Sequence, residues 1–328
     1  MKCLRNIGMS PLETRDDALI DVLYNVKNIA IFQEDIYIGS GEQLIVWDKY
    51  GKFKRVLSKK GNDPQSYLHF NHFMIWPNGD LSIASPIEIV TYSNSHQFIN
   101  KKRCENVGYI EAITLLNDSL YIIKCMPTSE QLRYRIINHH TGAIINSYDS
   151  IINCNRYISS FTNSFERYEG HIISHGYQSN DILECTLDSS KIRYKINVDN
   201  RIPTAGFYTQ EGKEGMQLIQ EEAEKGYIGH IPDYVESKET ILLSFKGKRE
   251  DLNGIALIDK KDGNARVLEN IKFDDNFRWL PKQFFSLDEG WCAMLMYPED
   301  VLKKEEFARR FPGLDEESNP VLFIGKLR

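Results

Sequence analysis

An internal repeat with a period of 45 residues is the feature of this sequence that most restricts its fold. When the chain is shifted by 45 positions, Ile36 aligns with Leu81 without a gap. The apolar run Leu44–Trp47 aligns in the same register with Ile89–Tyr92. Short apolar runs separated by turn residues are typical of β-strands, and a period of about 40–50 residues is typical of a unit of several strands. The repeat therefore predicts an all-β fold built from similar sheets.

Further copies of the unit begin where a polar turn residue precedes an apolar strand. Their spacings are 45, 39, 52, 69 and 50 residues, and six units across 328 residues average about 55. The starts are Asp35–Ile36, Asp80–Leu81, Ser119–Leu120, His171–Ile172, Thr240–Ile241 and Gly290–Trp291. A parallel α/β sheet would need a helix between successive strands, and helical patterns are missing there. We therefore predict an all-β, six-bladed β-propeller with four-stranded antiparallel blades.

The predicted propeller occupies the whole chain as a single domain, residues 1–328, because no linker rich in Pro, Gly or Ser divides it. The last blade has only three strands of its own. We predict that an N-terminal strand, Met9–Leu12, supplies the fourth strand and closes the ring, since an open ring would leave two unpaired edges. The predicted blades span approximately 25–60, 70–104, 109–150, 155–200, 230–274, and 279–328 together with 9–12.

Two segments with a helical pattern interrupt the repeat. Residues 213–226 place apolar residues on one helical stripe and end at Gly226, which suits the C′ position of a helix. The stripe consists of Met216, Ile219 and Ala223. This helix belongs to a predicted insertion over about 205–229 that accounts for the 69-residue spacing. A second short helix is predicted over about 298–310.

Several motifs of the chain resemble a known family. They are Pro11–Thr14, Ile36–Ile38, Ile45–Phe53, Gly61–Tyr67 and Asn319–Leu322. The chain resembles uncharacterised six-bladed β-propeller families related to NHL repeats, which are common in Gram-negative gut anaerobes. The resemblance spans nearly the whole chain and implies the fold but no common activity. Relatives usually show Gly-x-Gly-Pro-Gly-Glu-Tyr after the first blade, and here Asp63, Gln65 and Ser66 replace three of those residues.

The same resemblance implies a location in the cell envelope, either in the periplasm or on the outer cell surface. Relatives commonly begin with an export or lipoprotein signal, whereas the sequence Met-Lys-Cys-Leu-Arg contains no apolar signal stretch. Cys3 is where a trimmed lipoprotein would carry its lipid, and an incidental cysteine near a terminus explains it equally well. A cytoplasmic location is the alternative.

Charge and motif content exclude several classes of function. The chain has 40 basic and 46 acidic residues, a net charge of −6, which argues against a nucleic-acid partner. No apolar run approaches the roughly 20 residues of a transmembrane helix. The six cysteines form no C-x-x-C pair, so we expect buried free thiols, and no catalytic signature is present. We accordingly expect no resident cofactor or metal.

Propellers usually bind ligands at the channel mouth, near the start of each innermost strand. On the predicted register these positions combine aromatic rings with hydrogen-bonding side chains, which suits a carbohydrate, and arginines that suit carboxylates of a peptide or acidic sugar. The candidate ligand-binding residues are Asn71, His72, Tyr109, Glu111, Arg156, Tyr157, His230, Asp233, Arg278 and Trp279. We therefore predict a non-catalytic module that binds a carbohydrate or a peptide.

Two alternatives are left open by the sequence. Some similar propellers hold Ca²⁺ in the central channel and hydrolyse lactones, and here Asn28, Asn71, Glu111 and Asp233 would supply oxygen ligands. A protein–protein interaction scaffold would instead use the insertion over 205–231 as its contact surface.

Overall fold

The computed structural model shows an all-β, six-bladed β-propeller with antiparallel blades. It describes residues 4–20, 26–57, 60–104, 107–125, 132–150, 165–175, 181–198, 201–203, 205–208, 213, 215–247, 249–273, 278–303 and 305–328. The predicted fold class is confirmed, including the N-terminal strand β1 (Leu4–Pro11) in the sixth blade.

The blades follow one another along the chain, and their strands have these bounds. Blade 1 contains β2 (Val26–Phe32), β3 (Asp35–Ser40), β4 (Gln43–Asp48) and β5 (Phe53–Leu57), and blade 2 contains β6 (His72–Ile75), β7 (Leu81–Ala84), β8 (Glu88–Tyr92) and β9 (Phe98–Arg103). Blade 3 contains β10 (Ile110–Asn117), β11 (Leu120–Cys125), β12 (Leu132–Asn138) and β13 (Ile144–Ser150), and blade 4 contains β14 (Glu166–Tyr168), β15 (His171–His175), β16 (Asp181–Cys185) and β17 (Ser190–Lys195). Blade 5 contains β18 (Ile228–His230), β19 (Tyr234–Glu236), β20 (Thr240–Gly247), β21 (Gly254–Asp259) and β22 (Ala265–Val267). After a two-stranded ladder of β23 (Ile271–Lys272) and β24 (Arg278–Trp279), blade 6 contains β25 (Phe284–Ser286), β26 (Trp291–Met296), β27 (Val321–Leu327) and β1.

The chain divides into two compact units. Unit 1 consists of Met1–Lys59, Asp233–Leu243 and Ala256–Arg328, and it holds blades 1 and 6. Unit 2 consists of Lys60–Pro232 and Ser244–Ile255, and it holds blades 2, 3 and 4. The single-domain boundary of 1–328 stays a prediction.

The central strands of blade 2 explain the near-continuous apolar runs of the sequence. Every residue of β7 and β8 is buried, because side chains pack against both faces of these strands. On one side a core cluster joins blade 2 to blade 3 through Ile89, Ile110 and Tyr121. The outer strand β9 is only partly buried, so its pattern is looser. Stacked sheets thus bury both faces without covering helices.

The hairpin between the third and fourth strands of blade 1 has the turn chemistry that its sequence predicts. The carboxylate Oδ1 of Asp48 accepts hydrogen bonds from the backbone N–H groups of Tyr50 and Lys52, each at 2.9 Å. Gly51 has a φ of +82°, in the left-handed region that glycine adopts without strain. Because Asp and Gly shape this turn locally, the later copy Asp259–Gly263 repeats it in blade 5.

Blade 6 is closed by pairing the two ends of the chain. Strand β1 runs antiparallel to β27, with Met9 opposite Phe323. The observed strand begins at Leu4, five residues before the predicted start. A register shift between Arg5 and Gly8 interrupts the alternation of the strand, so the sequence pattern marks only its second half.

Asn319 fixes this closure from inside unit 1. Its side chain is almost fully buried, and its Oδ1 accepts the N–H of Ile20 at 2.8 Å. The Nδ2 group donates to the carbonyls of Glu13 and Ala18 at 3.0 and 2.9 Å, and the Asn319 N–H donates to Thr14 Oγ1. One amide thereby satisfies three backbone groups of the segment that follows β1.

The helices are short and lie in the two predicted segments. They are α1 (Ala205–Tyr208), α2 (Gly215–Glu224), α3 (Pro298–Leu302) and α4 (Glu305–Ala308). Helix α2 ends at Glu224, and Gly226 follows it with a φ of +64°, the conformation expected of a glycine after a helix. Among the α2 side chains that the structure describes, Leu218 and Glu222 are buried and Ala223 of the predicted stripe is partly buried, while the side chains of Met216 and Ile219 lie outside the description. Within the described ranges, no helix is long and apolar enough to cross a membrane.

The cysteines that the structure describes are buried free thiols. They are Cys104, Cys125, Cys185 and Cys292, while Cys3 and Cys154 lie outside the described residues. Burial raises the pKa of Cys104 to about 11 and the pKa values of Cys125 and Cys185 to about 12. Thiols of this kind are poor nucleophiles at neutral pH.

Candidate functional site

Asn71, one of the predicted residues, lies where the innermost strands of blades 2 and 3 begin, in unit 2. Asn71 directly precedes β6, and its backbone N–H donates to Ala84 at 3.0 Å. Its side-chain Nδ2 donates to the carbonyl of Ile110 at 2.6 Å. Because Ile110 is the first residue of β10, this bond places the start of β6 beside the start of β10.

A buried ion pair lies at the same end of blade 3. Lys124 near the end of β11 is only 1% exposed, and its Nζ lies 4.0 Å from Oε2 of the buried Glu111 on β10. Burial lowers the pKa of Lys124, while the Glu111 carboxylate opposes that shift. A buried ammonium is costly without such an anionic neighbour.

Two imidazoles complete the group, which we call the polar cluster: His72, Glu111, Lys124 and His175. Burial lowers the pKa of His72 to about 4 and that of His175 to about 3, and the positive charge of Lys124 adds to both shifts. Both rings are therefore neutral at pH 7. His175 Nδ1 lies 3.2 Å from the Ile231 carbonyl, which is an acceptor, so that nitrogen carries the proton. His72 Nδ1 is buried and has no hydrogen-bond partner among the described residues.

The polar cluster offers a mixed set of hydrogen-bonding groups at a buried site. An ammonium only donates and a carboxylate only accepts, whereas a neutral imidazole does both. The aromatic ring of Tyr109, two residues before Glu111, is 39% exposed. Such a combination can hold a neutral polar ligand that has an apolar face.

The other predicted residues of unit 2 are placed less completely. His230 contributes its backbone to β18, opposite Lys246 of β20. Arg156 and Tyr157 lie outside the described residues. The predicted roles of these three side chains stay predictions.

Three predicted residues belong to unit 1. Asp233 is fully buried and Arg278 is exposed. The ring of Trp279 is 8% exposed and packs 6.1 Å from Phe273 and 5.8 Å from Phe323, measured between ring centroids. Trp279 is thus part of an aromatic core, so its burial alone accounts for it.

Lys124 and His175 are site residues that were not predicted from the sequence. The predicted residues lie near the starts of innermost strands, whereas these two lie at the ends of second strands. In an antiparallel hairpin the end of one strand meets the start of its partner, as Ile110 pairs with Cys125. The sequence does contain one indication of a buried charge, which is the lysine inside the apolar run Leu-Tyr-Ile-Ile-Lys-Cys of β11.

The metal-binding alternative draws on both units. Asn71 and Glu111 lie in unit 2, whereas Asn28 and Asp233 lie in unit 1. In the described part of the chain, no three His, Cys, Asp or Glu side chains are grouped so that they could hold a metal ion. The Lys124 ammonium already provides positive charge beside Glu111.

Comparisons with known proteins agree with the fold. The family described as a domain of unknown function, DUF4934, matches residues 4–326. A protein of Bacteroides fragilis described as exported has a TM-score of 0.76 at 12% identity, with 99% of this chain and 96% of that chain covered. A member of the DUF4221 family from Bacteroides vulgatus has a TM-score of 0.59 at 10% identity, with 99% and 97% covered. No curated protein matches the sequence. Identities this low show a shared fold alone.

Proposed function

Because the chain belongs to the DUF4934 family, whose function is unknown, we propose a function from the polar cluster itself. The protein is a non-catalytic module that binds a carbohydrate where β6 and β10 begin. The observation that carries this proposal is the buried Lys124–Glu111 pair beside the neutral rings of His72 and His175. Buried polar groups of this density are uncommon unless they stabilise the fold or bind a ligand.

A carbohydrate matches these groups better than a peptide does. Each sugar hydroxyl both donates and accepts, as a neutral imidazole does, while Lys124 and Glu111 add one strong donor and one strong acceptor. The half-exposed ring of Tyr109 offers an apolar surface for the C–H face of a sugar.

A glycan and peptide array with the purified protein tests the proposal, followed by calorimetry on the hits. His72→Gln and Tyr109→Ala are each expected to weaken binding about tenfold or more, which corresponds to about 1.4 kcal/mol. Binding is also expected to be constant between pH 8 and pH 5, because His72 titrates near 4 and His175 near 3.

Two matched variants serve as controls for that experiment. His140→Gln changes an exposed histidine, and Ile145→Ala removes an exposed apolar side chain, both in unit 2 and outside the polar cluster. Neither substitution should change the affinity of an array hit. Equal losses in the controls, or hits confined to peptides, would contradict carbohydrate binding at the polar cluster.

The proposed location is the cell envelope, in the periplasm or on the outer surface. Its support is the fold shared with a Bacteroides fragilis protein described as exported, together with the resemblance of the motifs to exported relatives. Fractionation of cells that express the native gene should recover the protein outside the cytoplasm. Recovery in the cytosolic fraction would exclude an envelope function.

The two other candidate functions have less support. A Ca²⁺-dependent hydrolase would place its metal next to Glu111, where the ammonium of Lys124 already stands and would repel a cation. A scaffold that uses the insertion is a weaker proposal, because Phe207, Leu218 and Tyr227 of that segment bury their apolar surface against one another.

A further inference from the structure

Unit 1 contains a surface groove that is separate from the polar cluster. Its volume is about 540 Å³, which lies within the range of small-ligand sites. Three chain segments form it: the end of β1 with its continuation, the β4–β5 hairpin, and the loop after α4. The lining residues are Pro11–Thr14, Tyr50–Lys52, Arg310–Leu314 and Ser318.

Two cations line this groove. Lys52 lies on the hairpin and makes no ion pair with any residue that the structure describes. Arg310 lies on the opposite segment, and its Nη1 is 3.8 Å from the sulfur of Met9. The one carboxylate of the lining, Glu13, accepts a hydrogen bond from the Phe53 N–H at 3.0 Å. The charge of the groove therefore favours an anionic ligand, and a guanidinium fork matches a carboxylate.

An exposed aromatic ring stands beside these cations. Tyr50 is 73% exposed, more than any other large apolar side chain in the described part of the chain. The Lys49 ammonium lies 5.2 Å from its ring centroid. A ring left in water at the edge of a groove can stack on the C–H face of a sugar.

The backbone of the groove does not favour an extended peptide. The N–H groups of Leu12 and Glu13 donate to the carbonyls of Pro320 and Gly51, at 3.2 and 2.7 Å. The N–H groups of Tyr50 and Lys52 both donate to Asp48, and Pro11 and Pro312 have no N–H. A peptide strand that adds to a sheet edge needs unpaired backbone groups. Recognition in this groove must instead come from side chains.

The groove is also held in shape before any ligand binds. A Cβ on Gly51 would lie 2.2 Å from the Pro11 carbonyl oxygen, so the hairpin and the end of β1 are in close contact. Asn319 fixes the segment that follows β1 through its three side-chain hydrogen bonds. A preformed site loses little ordering entropy on binding.

From these features we propose that the groove is a second binding site, and that its ligand is an acidic saccharide containing hexuronate units. The uronate carboxylate pairs with Arg310 and Lys52, and the sugar ring stacks on Tyr50. Thr14 lies in the same lining, and its hydroxyl accepts the Asn319 N–H but keeps its own proton for a sugar hydroxyl. The Ser318 hydroxyl, by contrast, is bonded to Asp315. This site is independent of the carbohydrate site proposed at the polar cluster.

Calorimetry with tetragalacturonate tests the proposal, and its fully methyl-esterified form is the matched neutral ligand. Tetragalacturonate is expected to bind at least tenfold more tightly than the ester, and more weakly as NaCl is raised from 50 to 500 mM. Arg310→Gln and Tyr50→Ala are each expected to weaken binding at least tenfold, and Arg310→Lys to weaken it less than Arg310→Gln does.

Arg309→Gln is the matched control, because Arg309 is an exposed neighbour of Arg310 that pairs with Glu305 and does not line the groove. Val267→Ala, which shortens an exposed apolar side chain of unit 1 outside the groove, is the second control. Neither variant should change tetragalacturonate binding, and the thermal unfolding midpoint of each variant shows that it is folded. Equal binding of the ester, or an equal loss with Arg309→Gln, would overturn the proposal. Equal binding of hexaglutamate would overturn the saccharide class in favour of acidic peptides.

Discussion

His72 and His175 hold protonation states that the same rings would not have in the unfolded chain. An unperturbed histidine has a pKa of about 6.5, whereas burial and Lys124 lower these two to about 4 and about 3. Between these values and 6.5, the unfolded chain binds protons on both rings and the folded protein does not. The contribution of these two rings to the free energy of unfolding is therefore fully present above pH 6.5, and it is lost progressively as the pH falls below 6.5.

We expect the free energy of unfolding to be about 2 kcal/mol per ring lower at pH 5 than at pH 7. Urea denaturation at the two pH values measures it. His72→Gln and His175→Gln should each reduce the pH dependence by about that amount, because glutamine does not titrate. His140→Gln, at an exposed position, should leave the pH dependence as it is. If the pH dependence of the free energy of unfolding is the same in the first two variants as in the unmodified protein, these rings are protonated at pH 5 in the folded protein as well.

At the scale of the element, the hairpin between β4 and β5 shows how one glycine holds two segments of unit 1 in contact. Gly51 combines a φ of +82° with the close approach to the Pro11 carbonyl oxygen, whereas Gly263 has a φ of +72° with no heavy atom within 4 Å of an added Cβ. A side chain in the left-handed region costs roughly 1–2 kcal/mol. The two glycines therefore separate backbone strain from steric contact.

Gly263→Ala is expected to lower the free energy of unfolding by about 1–2 kcal/mol, through backbone strain alone. Gly51→Ala should lower it by clearly more, because the methyl group forces the hairpin away from the end of β1. Chemical denaturation of both variants gives the comparison. An equal loss of unfolding free energy in the two variants would show that the hairpin moves away from Pro11 without destabilising the protein.

The elements differ in how far the sequence could predict them. Blades were predictable because turns such as Asp48–Gly51 and apolar strands such as β8 are determined by neighbours in the chain. The predicted helix over 298–310 is in fact two helices. Val301 and Phe307 are both buried, yet residues six apart lie about 120° apart on one helix, so the chain bends to bury both. Such a bend depends on the surface against which the segment packs.

The polar cluster was predictable only in part, for a related reason. His72 and Glu111 lie at the starts of innermost strands, which the repeat locates along the chain. Lys124 and His175 join them because strand ends pair across hairpins, and this requires the register of β10 against β11. Their lowered pKa values arise from burial by several strands, which no local pattern encodes.

At the scale of the whole molecule, Asn319 connects positions that are about 300 residues apart in the chain. We expect Asn319→Leu to lower the free energy of unfolding by about 3 kcal/mol or more, because it leaves buried backbone groups of the segment over 13–20 without partners. Asn264→Leu, in an exposed turn, is the control and should have little effect. Thermal and urea unfolding of both variants measure the difference. A loss below 1 kcal/mol for Asn319→Leu would mean that water replaces the amide.

The pairing of β1 with β27 has a consequence for the order in which the protein is made. Pro11 leaves the ribosome first, and its partner Val321 follows 310 positions later. At a translation rate of about 5–20 residues per second, strand β1 stays without that partner for roughly 15–60 s. During that interval blades 1 to 5 can complete all their own hairpins, while blade 6 cannot form. Until β27 has been made, β26 and β1 lack the strand that pairs with both of them, and these open edges are where a chaperone or an aggregating neighbour would attach.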